Sequence, residues 1–252
     1  MTWLAFFLAG IVLGSFYNVV ALRLPRGGSI VYPPSHCPAC GRELAARDLV
    51  PVFSYLWLKG RCRFCGAAIS PLYPVGELTT GLLFIWVYLV IGWRPELAVG
   101  LFLVSVLVVA ALGDVLYRLI PNKLVLAVLA GGILARSLVP LPGGFWFALS
   151  GILPGTVLLG VAALASRGGM GGGDIKLAAA LGLFLGWPGA LLAVFFASVL
   201  GGVVGVGLIL ARVIGRRDSV PYAPFLAGGF LLAYLYGAGI IGWYGSVALG
   251  RW

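Results

Sequence analysis

The chain has 252 residues, 62% of them hydrophobic and only 10% charged, with a formal net charge of +10 at pH 7. Apolar runs of this extent exceed what one soluble core of that size can bury, which excludes an ordinary soluble globular protein and leaves lipid as the solvent. The positive charge is not read as nucleic-acid binding, because its placement along the chain follows membrane topology and would attract anionic lipid.

A spanning helix needs roughly 20 apolar residues to cross ~30 Å of hydrocarbon. None of the runs alternates as a barrel strand does, so helices are the remaining way to satisfy the backbone in lipid. About eight runs qualify, at 2–22, 75–92, 97–116, 124–139, 145–165, 175–187, 190–211 and 224–244. The expected fold is therefore an all-α polytopic membrane protein with about eight transmembrane helices and a small cytoplasmic loop domain. Its division is 1–22 for the first helix, 23–74 for the loop and 75–252 for the remaining spans. The first run could pass for a cleaved signal peptide, but Gly14, Ser15 and Asn18 interrupt it and basic residues follow rather than precede it, so it is kept as a permanent span.

Sidedness follows from Lys and Arg. The 23–72 loop carries seven basic residues, and with Arg118, Lys123, Arg167, Lys176, Arg212, Arg216 and Arg217 one side totals fourteen. Only Arg94, Arg136 and Arg251 fall opposite. The loop is expected in the cytoplasm, with both termini outside.

All four cysteines lie in that loop as two C-x-x-C knuckles, Cys37-Pro-Ala-Cys40 and Cys62-Arg-Phe-Cys65. The spacing predicts a structural zinc site. Disulfides are disfavoured in the cytoplasm, and an iron site of similar geometry is the other alternative. Four thiolates would close the coordination sphere, so the metal is expected to hold the loop together and not to activate water. Arg61 and Arg63 would offset the site's negative charge or contact lipid headgroups. His36, beside Cys37, is expected to be solvated.

The seven acidic residues can be taken singly. Glu43, Asp48, Glu96 and Asp218 are accounted for by solvation in loops and turns. Glu77, Asp114 and Asp174 lie in or beside apolar spans, where an ionisable group is costly unless paired or hydrated and so marks a functional position. Asp114 sits near the inner end of the third span, before Pro121 stops further helix; an ion pair with Arg118 is its alternative reading. Asp174 follows Gly171-Gly172-Gly173 and begins a span of only fourteen residues, about 21 Å long. It is expected to cap that helix, while the glycines line a cavity below the membrane surface and let another chain approach. Both aspartates fall at inner ends of spans, where they can meet. Two carboxylates around one water do not both ionise readily, so one keeps a proton while the other acts as base, which is the machinery of peptide hydrolysis. No Ser-His-acid set competes near a membrane face.

These residues resemble the bacterial bifunctional prepilin peptidases. The resemblance runs almost end to end: Gly14 to Pro25, the cysteine loop, Val52 to Cys62, Ile69 to Glu77, Asp114 with Ile120-Pro121-Asn122, the Gly171 to Asp174 stretch matching the family's GxGD motif through Gly171 and Gly173, and Val220 to Phe225. It implies a membrane aspartyl endopeptidase of the bacterial cytoplasmic (inner) membrane. Such an enzyme removes the leader of type IV prepilins and pseudopilins after a glycine, with Asp114 and Asp174 catalytic. It also implies N-methylation of the new terminus, with S-adenosylmethionine as donor and the N-terminal part of the chain responsible. Glu77 is the candidate for binding that donor or the substrate amine, against a salt bridge to a loop arginine. The chain departs from many relatives at Leu116, where they carry an acid, and at Asn122, often Asp. Competing readings are a peptidase without methylation, another intramembrane aspartyl protease, a proton-coupled transporter and a zinc-loop scaffold.

Overall fold

The computed structural model describes residues 1–165, 170–215 and 218–249. Arg167, Arg216, Arg217 and Arg251, counted above for sidedness, lie outside the described residues. Nine α-helices occur among the described residues. They are α1 (Thr2–Arg23), α2 (Phe53–Trp57), α3 (Leu72–Ile91), α4 (Glu96–Tyr117), α5 (Asn122–Leu138), α6 (Phe145–Ser150), α7 (Ile152–Ala165), α8 (Gly172–Leu210) and α9 (Ala223–Leu249). The protein is a multi-pass membrane protein: six helical segments are long and apolar enough to cross a bilayer.

All eight expected runs are helical, but the count of eight spans does not follow from them. α5 has 17 residues, short for a span. The run at 145–165 is broken into α6 and α7 at Gly151, which lies against Gly182: a Cβ on either would collide with the other's carbonyl oxygen. The runs expected at 175–187 and 190–211 are the two halves of α8, two helices that meet at a kink where Gly186 is non-helical at φ 68° and Pro188 follows. Proline has no N–H to offer four residues back, so the break frees carbonyls at this turn. Arg136 of α5 answers them, donating to the Leu183 and Phe184 carbonyls at 3.1 and 3.3 Å and to those of Pro142 and Gly143 at 2.6 and 3.1 Å.

The chain divides into two compact units, Met1–Gly92 and Trp93–Trp252. In the first, α3 packs along α1, so 75–92 groups with the first helix and loop and not with the later spans. The approach is set by small residues: a Cβ at Gly10 would lie 2.7 Å from the Gly81 Cα, and one at Gly14 2.9 Å from the Glu77 Cα. Gly10 and Gly14 share one helix face, the spacing by which helix backbones meet closely in lipid. In the second unit α8 packs on α5, α6, α7 and α9, and α4 on α9.

Valine at position 10 should force α1 from α3, an overpacking of about 1–3 kcal/mol. Gly10→Val is expected to lower the melting temperature in detergent, whereas Gly202→Ala, whose new Cβ would touch nothing within 4 Å, should melt near the wild type.

Candidate active site

α4 ends because Arg118 takes a left-handed conformation, φ 52° and ψ 39°, with its N–H donating to the Asp114 carbonyl at 2.8 Å. This turns the Arg118 side chain toward Ser219, where the guanidinium donates to the hydroxyl and, at 2.8 Å, to the carbonyl. The Asp114–Arg118 ion pair therefore does not form. Asp114, one turn earlier and only 6% exposed, accepts instead the backbone N–H of Ala223 at 2.9 Å through Oδ2. The segment before α9 is thus fastened to the end of α4 at both residues.

Asp174 is not the N-cap of α8. That place belongs to Gly171, in extended conformation, whose carbonyl accepts the Asp174 N–H at 3.1 Å. Asp174 is the third residue of the helix, a position where the helix dipole favours a carboxylate. It is also 6% exposed, and its Oδ1 is buried with no hydrogen-bond partner. Two of the glycines allow close approach. A Cβ at Gly173 would fall 3.0 Å from the Ile120 Cβ, and one at Gly171 would lie 3.4 Å from Asp174 Oδ2. Glycine at 173 therefore lets the start of α8 settle on Ile120, just beyond α4, and brings the two aspartates within electrostatic reach of each other. Gly172 meets nothing, and nothing in the structure explains a glycine there.

Tyr222 links this pair to an apolar groove of about 750 Å³. Its hydroxyl is buried without a hydrogen-bond partner, near Ser198, whose own hydroxyl donates to the Val194 carbonyl. Burial pushes the phenol up. Leu158, Met170, Phe195 and Val220 line the groove with Tyr222, and neither aspartate does. Sequence reasoning missed Tyr222 and Ala223 as individuals, although both sit in the Val220 to Phe225 stretch it singled out.

The two cysteine knuckles are built alike. Cys37 donates its N–H to Arg42 O and accepts from Gly41; Cys62 donates to Ala67 O and accepts from Gly66. Gly41 and Gly66 both sit at φ 71°, where glycine alone is unstrained. All four cysteines are free, and their sulfurs lie within 4.8 Å of one another, Cys37 and Cys65 at 3.8 Å. Four sulfurs at ~2.3 Å from one tetrahedral ion stand about 3.8 Å apart, so the residues fit zinc. The electrostatics fit as well. N–H groups of Cys40 and Ala39 bring the Cys37 thiol down to about 6. Cys65 accepts the Ala67 N–H, yet desolvation and the three neighbouring sulfurs push it up to about 11. Four thiolates in this space need a cation among them.

Glu77 forms no salt bridge among the described residues. Buried between α3 and α1, it accepts the Val52 N–H at 2.7 Å and a hydrogen bond from Ser15, while Asn18 of α1 donates to the Tyr73 carbonyl at 3.0 Å. Its partner Val52 has φ 64° and ψ −51°, with Phe53 N–H returning to Pro51 O at 2.7 Å. This is a γ-turn strained by about 1–3 kcal/mol for a β-branched residue. Two other acids depart from expectation. Asp48 is not solvated but pairs with Arg63 at 2.7 Å, its side chain 2% exposed. Glu96 has one oxygen buried without a partner. His36 is exposed, as expected.

Residues 8–91 match the model of the bacterial peptidase A24 N-terminal domain, and residues 101–206 that of the type IV leader peptidase family. Among curated proteins, the chain is 40% identical over 245 residues to a prepilin leader peptidase/N-methyltransferase of Bacillus subtilis, covering 97% of this chain and 98% of that one. It is 36% identical to the protein of the same name from Aeromonas salmonicida, covering 99% and 97%, and 32% identical to that of Pseudomonas aeruginosa, covering 91% and 89%. No solved structure matches.

Metal analysis of the purified protein is expected to find one zinc per chain. Cys62→Ser should lose it and open 37–65 to limited proteolysis, because three thiolates leave the ion's sphere open.

Proposed function

The chain belongs to the type IV leader peptidase family, and from that premise we propose that it is a membrane aspartyl endopeptidase which removes the leader of prepilins and pseudopilins after a glycine. It then methylates the new N-terminal residue. The carrying observation is the asymmetric pair formed by Asp114 and Asp174: both carboxylates are buried and within electrostatic reach of each other, one is held by a backbone donor and the other has an oxygen without a partner.

A backbone N–H can only donate, so the Ala223 amide favours Asp114 as the carboxylate. Asp174, with Oδ1 buried and unpartnered, is assigned the proton. Asp114 then takes a proton from the shared water as its oxygen attacks the scissile carbonyl, while Asp174 donates to the carbonyl oxygen. Collapse of the gem-diol intermediate breaks the C–N bond as the proton held on Asp114 passes to the leaving amine and one hydroxyl proton returns to Asp174, which restores the starting state of the dyad. No metal enters this sequence. Zinc on Cys37, Cys40, Cys62 and Cys65 has a structural role in shaping the loop. S-adenosylmethionine supplies the methyl group when bound. Glu77 serves methylation indirectly in this reading: its carboxylate is engaged by Val52 and Ser15 and so positions the loop.

The cell location follows the same reading: the bacterial cytoplasmic membrane, with the zinc loop and both aspartates at the cytoplasmic face, where fourteen of the seventeen Lys and Arg residues fall.

Asp114→Asn and Asp174→Asn should each lower prepilin cleavage by on the order of 10³-fold or more while the protein stays folded. Mass spectrometry of products from wild type and each variant in detergent checks this; cleavage that survived both changes would end the dyad mechanism. With S-adenosylmethionine added, the wild-type product should gain one methyl group. Cys37→Ser should reduce that methylation more than cleavage, read in the same spectra.

A further inference from the structure

α2 is a single short helix, yet it presents Phe53 and Leu56 at 66% exposure and Trp57 at 84%. Val50, just before it, is exposed too. Exposed Arg47, Lys59 and Arg61 flank this apolar stretch in sequence. Of the loop's two carboxylates, Asp48 is already paired with Arg63, so the surroundings are basic. Phe and Trp beside Lys and Arg form the composition of a surface that lies in a membrane interface.

Its depth can be read from Glu77. This residue is the sixth of α3, so its carboxylate lies about 7 Å along the axis from the helix start. The Val52 γ-turn is bonded to it at 2.7 Å and leads directly into α2. On α3 the neighbouring apolar side chains Val75 and Leu78 are exposed on the surface of the unit, as the lipid-facing positions of a span are. The strained turn therefore holds α2 level with the first turns of a span.

We infer that the exposed face of α2, with its basic flank, docks into the headgroup and upper acyl region of an anionic bilayer and fastens the zinc loop to the membrane surface. The apolar side chains enter the acyl boundary, and Arg47, Lys59 and Arg61 meet lipid phosphates.

The test uses the full chain in nanodiscs of phosphatidylcholine and phosphatidylglycerol, with and without bromine on the acyl chains. The protein has eight tryptophans, so the Trp57 signal is taken as the difference between wild type and Trp57→Phe, a change that keeps an apolar ring. Quenching of that difference by brominated chains is expected. Replacing phosphatidylglycerol with phosphatidylcholine, or making the double change Arg47→Gln and Lys59→Gln, should weaken it. No quenching by brominated chains would overturn the inference. In that case, quenching by aqueous iodide would show a solvated loop, and silence to both would show α2 covered by protein.

Discussion

Polar groups at membrane depth must find partners inside the protein, and in the second unit that need explains both the irregular backbone and the placing of the acids. α4 stops at Arg118 because Pro121 follows, and its last turn is closed by the segment that leads into α9. That segment gives Arg118 a serine and Asp114 an amide. The same stretch of chain therefore closes the end of one helix, satisfies a buried carboxylate and begins another helix. Asp174 is the exception, with one oxygen left unpaired in a buried place. A carboxylate so placed is costly as an anion, and in a hydrolase that cost is what suits it to carry a proton.

Much of this was legible in the sequence because the signals were local. Hydrophobic runs gave the helices, two C-x-x-C pairs gave the clustered sulfurs, and scarcity drew attention to Asp114 and Asp174. The contacts that depend on how the chain returns on itself were not legible. The donor to Asp114 is a backbone amide 109 residues away, and any residue but proline could have supplied it. Nothing in Val52 announces a positive φ, since valine is among the residues least suited to it. Gly10 and Gly14 were readable in principle, as small residues four apart in an apolar run. The boundary between the runs at 175–187 and 190–211 was legible because Gly186 and Pro188 are local signals, and they mark the kink between the two halves of α8.

In the first unit, the helices position the loop through polar side chains buried between them. Asn18 and Glu77 hold entry and loop backbone, and half-buried Ser15 holds the Glu77 carboxylate. The paired cysteine knuckles then organise what lies farther along. The Glu77 carboxylate fastens the loop at Val52, and the cluster of four sulfurs gathers its two knuckles.

The Arg136 guanidinium has a mechanical effect besides satisfying carbonyls. A Gly-x-Pro interruption usually makes a helix compliant at that point. Here the stretch from Gly172 to the break at Gly186 is a lever about 21 Å long carrying Asp174 near its free end, and a tilt of only about 5° at the break would move the carboxylate about 2 Å. Displacements of that order remove most of the advantage of a positioned catalytic group. Four hydrogen bonds from one planar fork to carbonyls on α8 and on the α5–α6 connection stiffen the fulcrum. A lysine could keep the charge but not the rigidity. Arg136 thus adds, at the far end of the lever, one support to those that packing gives the helix carrying Asp174.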